Sequence, residues 1–380
     1  MIIIVIFPSF KNYEERFKYY CEMSKCDLIE ELYIFTRHVP EVKNCPQSKK
    51  LKINEIKNKF KFYLTLNWKI KKVICNKRNI IIVNHFLNNV FISKAKKRKK
   101  NIKVITKFYF PNFIIFFIKK KIRFEIKQKI LLFKRSMLDL LSIYLSDIII
   151  GNSYDIEYAV KKVQEKIGLN RKIITFPTPV DIDLFSPLNE KKFITEGMAK
   201  ILFVGNLLKR KGIYDLLDVA KMLVDRKIKY KMIIIGKYLD KKTEERVNAL
   251  IKVNKLDAYL EFKGKIKQKG LVSFYRNSDI FIFPSYHEGS PRVVKEAMAC
   301  GLPVIAYRIY GNEVIDKRKD IIRFASLGNK KELFGRILEL INNPNKLEYY
   351  SKKGIEHIKN NFSIRKLVEM EMQMYKELLK

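Results

Sequence analysis

The stretch from Asp279 to Tyr307 limits the fold more than any other, because it reads as one complete βαβ unit with polar side chains at its first turn. Asp279-Ile280-Phe281-Ile282-Phe283 is a short apolar run of buried-strand type, stopped by Pro284-Ser285. A polar loop, Tyr286-His287-Glu288-Gly289, leads to Ser290 as the expected N-cap and Pro291 at the first helical position, where a missing N–H and a fixed φ cost little. Val293, Val294, Ala297 and Met298 give the helix an apolar face, Gly301 and Pro303 end it, and Val304-Ile305-Ala306-Tyr307 is the next strand.

A strand running into a helix N-terminus is an anion site, since unpaired backbone N–H groups and the positive end of the helix dipole point at one spot. Phosphate is the expected guest. Glu288 in the loop and Glu296 on the second helical turn flank that spot. A carboxylate does not bind phosphate, so each must face something else, and sugar hydroxyls are the natural neighbours of a diphosphate. The residues alone thus point to a sugar nucleotide.

Phe283-Pro284-Ser285, Glu288-Gly289, the seven residues between Glu288 and Glu296, and the run Ala297 to Ala306 together resemble the signature of the retaining family 4 glycosyltransferases. The alternative is an ordinary βαβ unit with surface glutamates. The resemblance implies an α/β fold of GT-B architecture: two Rossmann-like parallel-sheet domains facing across a cleft, with a C-terminal helix crossing back to the first. The expected boundaries are 1–186 for the acceptor-side domain, 187–361 for the nucleotide-sugar domain and 362–380 for the returning helix.

At 380 residues the chain is long enough for two cores. No apolar run is long enough to span a bilayer, and Met1 to Phe7 reads as a first strand, not a signal peptide. Cys21, Cys26, Cys45, Cys75 and Cys300 have no ligand-like spacing and fit reduced cytoplasmic thiols. All 14 glycines lie from Gly151 onward, so a Gly-rich phosphate loop can belong only to the second half.

Charge is equally lopsided. From Lys43 to Arg135 there are 28 Lys or Arg and two acids, Glu55 and Glu125, in a chain whose net charge is +39. Such a field favours a polyanion or an anionic surface. Within this segment Lys94 to Lys100 is almost wholly basic, and Phe113 to Ile118 is an aromatic and aliphatic run ending in Lys119-Lys120-Lys121. Apolar side chains beside a cationic cluster fit a peripheral contact with anionic lipid, whereas packing in the core is the alternative. Ile122 to Tyr144 carries apolar residues every three or four positions, as a long helix would.

In the first half, Ile80 to Val83 is a buried strand ending in Asn84-His85, and His85 is the acceptor-side candidate because strand ends of that edge face the ligand crevice in open α/β sheets, a histidine that merely caps the strand being the alternative. Val104-Ile105-Thr106 ends in Lys107-Phe108-Tyr109, and Phe10 to Tyr13 stands where relatives carry a Gly-Gly pair. Asp181-Ile182-Asp183 imitates a metal-binding Asp-x-Asp, but it sits in a Pro-rich connection, so no metal is expected.

In the second half, Ile201 to Gly205 is a strand stopped by glycine, followed by Asn206 and then Lys211-Gly212 before a helix. The resemblance implies that Lys211 and the N–H groups of Arg292 and Val293 neutralise the donor diphosphate, with Gly205, Asn206, Gly289 and Ser290 also on the donor side. Lys265 and Ile266 would lie near the base. Glu296 would take the ribose hydroxyls, and Glu288 would hold the donor sugar or the charge at its anomeric carbon.

The implied reaction is transfer with retention from a UDP-, GDP- or ADP-sugar, without a cofactor, to a lipid-linked or glycan acceptor. The expected location is cytoplasmic, peripheral on the inner membrane face. A glycosyltransferase of sucrose-synthase type with a soluble acceptor is one alternative. A basic nucleic-acid-binding protein is the other, but the aromatics of Phe60 to Lys72 follow no reading motif.

Overall fold

The computed structural model describes residues 1–6, 14–37, 39, 48–57, 66, 68–70, 72–73, 79–84, 102–108, 136–137, 139–188, 193–194 and 197–379. His85, Lys94 to Lys100, Phe113 to Lys121 and the start of the helix expected from Ile122 lie outside them. The chain divides into two compact units, Met1–Pro179 with Ile364–Lys380, and Val180–Ser363.

The first unit is built on β1 (Ile2–Ile6), α1 (Glu14–Met23), β2 (Glu31–Thr36), β3 (Leu51–Glu55), β4 (Ile80–Asn84), β5 (Ile102–Phe108), β6 (Ile148–Gly151), α2 (Tyr154–Ile167) and β7 (Lys172–Thr175). Its strands form one sheet in the order β3-β2-β1-β4-β5-β6-β7, every described pairing parallel. A parallel sheet covered on both faces calls for continuous β-branched strands, which is why β1 is Ile-Ile-Ile-Val-Ile with every residue buried.

The two-residue repeat sorts these side chains between the faces. Ile3, Val5, Ile81, Val83 and Ile105 pack with Phe17 and Tyr20 of α1 and with Leu367, Met372 and Tyr375. Ile2, Ile4, Ile80, Ile82 and Val104 pack the other way, with Leu66 and Ile70. The C-terminal helix, Ile364–Leu379, therefore belongs to the first unit and covers one face of its sheet, as the resemblance implies.

That helix carries a buried charge. Glu371, 0% exposed, takes Lys107 at 2.5 and 2.7 Å from its two oxygens, accepts a hydrogen bond from Tyr19 at 2.5 Å and accepts another from Tyr375. Burial, with Glu371 beside it, raises the Tyr375 phenol well above its ordinary pKa. Cys21 on α1 is disulfide-bonded, whereas Cys26 and Cys300 form no disulfide. This departs from the expectation of reduced thiols, because an odd count without ligand spacing says nothing of which sulfurs a fold brings together.

The second unit runs β8 (Ala199–Val204), α3 (Ile213–Asp225), β9 (Tyr230–Ile235), α4 (Lys241–Val253), β10 (Leu260–Phe262), α5 (Gln268–Asn277), β11 (Ile280–Phe283), α6 (Arg292–Ala299), β12 (Val304–Tyr307), α7 (Tyr310–Glu313), β13 (Arg323–Ala325), α8 (Lys330–Ile341) and α9 (Pro344–Asn361). Its parallel sheet has the order β10-β9-β8-β11-β12-β13. Successive strands step outward one way from β8 and the other way from β11. The helices after these two adjacent strands therefore diverge over opposite faces, and the carboxyl edge at such a switch point is where open α/β sheets place a ligand crevice.

Candidate functional site

Both loops at that crevice carry the residues singled out in the sequence. After β8, Gly205 donates its N–H to Ile235 O at 2.9 Å, Asn206 is exposed, and Lys209–Lys211 form one 3-10 turn. Gly212 follows with φ 78°, and a Cβ there would lie 2.1 Å from Pro284 O. No L side chain fits such a backbone approach, so glycine is what brings the first loop onto the second. Tyr286 N donates to Arg210 O at 2.9 Å and fastens the two together.

Lys211 and Glu288 meet at this seam. The Lys211 ammonium donates to Glu288 Oε1, while Ser285 Oγ donates to the same oxygen at 2.7 Å. Arg210 stands 3.7 Å from that oxygen and donates to His287 O. Lys211 Nζ also lies 5.5 Å from the centre of the Phe283 ring. The Glu288 backbone is pressed against Gly311, where a Cβ would come within 2.3 Å of Glu288 O.

A second clamp holds the same loop. Tyr286 and Tyr307 both donate to Oδ2 of the buried Asp215, at 2.7 and 2.6 Å. Burial and the bond to Asp215 push the Tyr286 phenol up to about 12 and raise that of Tyr307 still further.

The helix at the crevice begins one residue later than expected. Pro291, not Ser290, is the N-cap of α6, because its ψ of 113° is extended and helical angles start at Arg292. Pro291 itself supplies no side-chain cap. Ser290 Oγ instead accepts from Lys295 Nζ at 3.3 Å. Gly289 and Val293 are half-buried, and Val293 packs against the core of this unit.

Glu296 on α6 is 4% exposed. Its Oε1 accepts from Gln268 at 2.8 Å and its Oε2 from Tyr275 at 3.2 Å, with Arg292 at 3.7 Å from Oε1. Burial, then Glu296, raises the Tyr275 phenol well above its usual range. Each carboxylate oxygen keeps a lone pair free for another donor.

Gln268, Tyr275, Asp215 and Lys295 were not identified in the sequence, and Ser285 was read there as part of the motif without its bond to Glu288. Gln268 lies two residues beyond the Lys265-Ile266 pair, which was the only signal for it. Lys295 is fully buried on α6, its ammonium 5.3 Å from the Phe362 ring centre, and a lysine between valine and glutamate gives no sign of that. Asp181 accepts from Leu184 N at 3.3 Å and so stabilises a turn. Among the described residues no group of three or more His, Cys, Asp or Glu could hold a metal.

A parallel βαβ unit thus carries two fixed glutamates and a lysine around the start of one helix. Residues 186–357 match the family Glycosyl transferases group 1. An uncharacterized glycosyltransferase of Methanocaldococcus jannaschii is 34% identical over 200 residues, 52% of this chain and 54% of that protein. The capsular polysaccharide biosynthesis glycosyltransferase CapM of Staphylococcus aureus is 28% identical over 181 residues, 47% and 46% of the two chains. The matches thus span about half the length of these curated relatives.

Solved structures extend the likeness of fold to the whole chain. Sucrose-phosphate synthase from Thermosynechococcus elongatus superposes with a TM-score of 0.67 at 17% identity, covering 100% of this chain and 99% of that one. Anabaena HepE, crystallised with UDP, gives 0.69 at 14% identity, with 99% and 100% covered. At these identities the likeness establishes the fold: two Rossmann-like parallel-sheet domains of the kind found in GT-B proteins.

Proposed function

We propose that the chain is a retaining glycosyltransferase that moves a sugar from a nucleotide diphosphate sugar to a lipid-linked or glycan acceptor at a membrane surface. The meeting of Lys211 and Glu288 in the loop that leads into α6, with Glu296 fixed on the same helix, carries the reading. The amides of Arg292 and Val293 and the Lys211 ammonium neutralise the diphosphate as it departs, which stabilises charge where it develops. Gly205, Asn206, Gly289 and Ser290 line its approach, and Glu296 accepts hydrogen bonds from the ribose hydroxyls.

Glu288 holds the donor sugar and faces the positive charge at its anomeric carbon. The bond from that carbon to the phosphate oxygen breaks, the acceptor oxygen bonds on the same side, and the acceptor proton passes to the departing phosphate. Lys211 and the helix amides supply the positive charge this needs, so the reading assigns no metal and no cofactor. His85, directly after β4 in the chain, is assigned to the acceptor.

HepE has been crystallised with UDP and with UDP-glucose, so UDP-sugars are the first donors to try, with GDP- and ADP-sugars beside them. The basic segment Lys43 to Arg135 supports a peripheral place on the cytoplasmic face of the inner membrane. Among the described residues no helix is long and apolar enough to cross a membrane. A thermal-shift panel tests the donor, since a ligand at a hundred times its Kd adds about 2.7 kcal/mol of stability. Stabilisation by one base series supports the reading, and no shift with any of the three overturns it.

A further inference from the structure

Trp68 is the chain's only tryptophan, and it is 63% exposed. Its neighbours two residues either way, Leu66 and Ile70, are 2% and 5% exposed and pack against Ile4, Ile80, Ile82 and Val104 on one face of the first sheet. This helical turn is thus anchored from within, and its outer side carries the indole. Lys72, one helical turn on, holds its ammonium 5.5 Å from the ring centre, and Lys69 beside it is half-buried.

A large ring left in water forgoes the favourable transfer of its apolar surface, unless a medium exists that takes the ring and leaves the N–H and the adjacent charge wet. The headgroup boundary of a bilayer is such a medium, and Trp gathers there. Charge chooses the kind of bilayer: 28 basic residues against two acids from Lys43 to Arg135 attract an anionic one. Single-stranded RNA would answer the same charge, but a base stacking on the ring face that Lys72 occupies would have to displace that ammonium.

We propose that Trp68, with Lys69 and Lys72 beside it, is the point at which the first unit enters the headgroup layer of an anionic bilayer. This rests on the membrane-surface part of the function proposed above and adds the contact itself.

The lone tryptophan makes the full chain its own probe. Vesicles of phosphatidylcholine with phosphatidylglycerol shift its emission to the blue and, when brominated on the acyl chains, quench it, and salt reverses both effects. Pure phosphatidylcholine does neither. Lys72→Gln lowers partition into the anionic vesicles about fivefold, and Trp68→Phe lowers co-sedimentation with them, while the thermal shift given by a nucleotide sugar is unchanged in both variants.

Co-sedimentation with no change in emission overturns the assignment to Trp68 and leaves the membrane reading standing. No co-sedimentation overturns both, while the nucleotide-sugar shift still judges the donor site separately. A blue shift given by single-stranded RNA and not by vesicles overturns the proposal in favour of nucleic acid.

Discussion

The Lys211 ammonium rests on Oε1 of Glu288, 77 residues further along the chain. The sequence assigned these groups separately, one to phosphate and one to sugar, and the fold joins them because β8 and β11 are adjacent strands whose next elements diverge. Under the proposed function, a cation held on the carboxylate assigned to the sugar would stand between the two halves of the donor.

Lys211→Ala is therefore expected to lower kcat by about 10²–10³, the usual cost of losing one preorganised group from a site of developing negative charge. Glu288 keeps Ser285 and Arg210 in the variant, so the melting temperature stays near that of the parent. Steady-state transfer measured beside thermal unfolding checks both halves, and unimpaired transfer would remove Lys211 from the mechanism.

Gln268→Ala separates binding from chemistry. The amide fixes Glu296 at 2.8 Å and touches nothing assigned to the reacting carbon. Donor KM is expected to rise by about tenfold, in line with one lost hydrogen bond to a charged group, with kcat little changed. An equal fall in kcat would make Gln268 part of the chemical step.

Gly212→Ala tests the seam itself. The new methyl would meet Pro284 O at 2.1 Å from a backbone already at φ 78°, so both the strain and the clash oppose it. A loss of about 2–3 kcal/mol or more in the urea stability of the second unit is expected, far beyond the range of ordinary surface substitutions. A neutral outcome would mean that the two loops are free to part.

The strands read from the sequence were those written as continuous apolar runs, such as Ile80 to Val83 and Ile280 to Phe283, because burial on both faces leaves no polar position in them. β3, Leu-Lys-Ile-Asn-Glu, escaped notice because it is the sheet's edge and is half in water. β13, Arg323–Ala325, has only three residues and too few for any period. Within the site, Glu288, Glu296 and Lys211 carry local motifs, but Gln268, Tyr275 and Asp215 come from helices distant in sequence. Their roles exist only once the sheet order brings α5 to Glu296 and α3 to Tyr286, in the loop that carries Glu288. The helix start was misplaced by one residue, since a Ser-Pro pair fits two capping schemes and only the ψ of Pro291 decides.

Glu371→Gln leaves the Lys107 ammonium, on a residue 6% exposed, without its counter-charge. Breaking a buried pair from one side costs about 3–5 kcal/mol, and amide exchange on α1 and the C-terminal helix locates that loss in the first unit. The double variant Lys107→Met with Glu371→Met is expected to recover much of it, because both charges are gone. No recovery would show that the bonds from Tyr19 and Tyr375, not the charge, hold the helix in place.

Glu339 gives the second unit a pH dependence of definite sign. Burial alone would raise its carboxyl, but Lys346 at 2.7 Å and Arg323 at 2.7 and 2.9 Å outweigh it and hold the pKa at about 2. A carboxylate depressed in the folded state contributes stability that is fully present above its unfolded pKa and is lost as pH falls through the folded one. Glu339→Gln is thus expected to cost about 2 kcal/mol at pH 7. The gap between parent and variant narrows as pH drops from the ordinary carboxylate range toward 2. Urea unfolding of both proteins across that range checks it, and a gap that stays constant with pH would show that Glu339 acts through packing and not through charge.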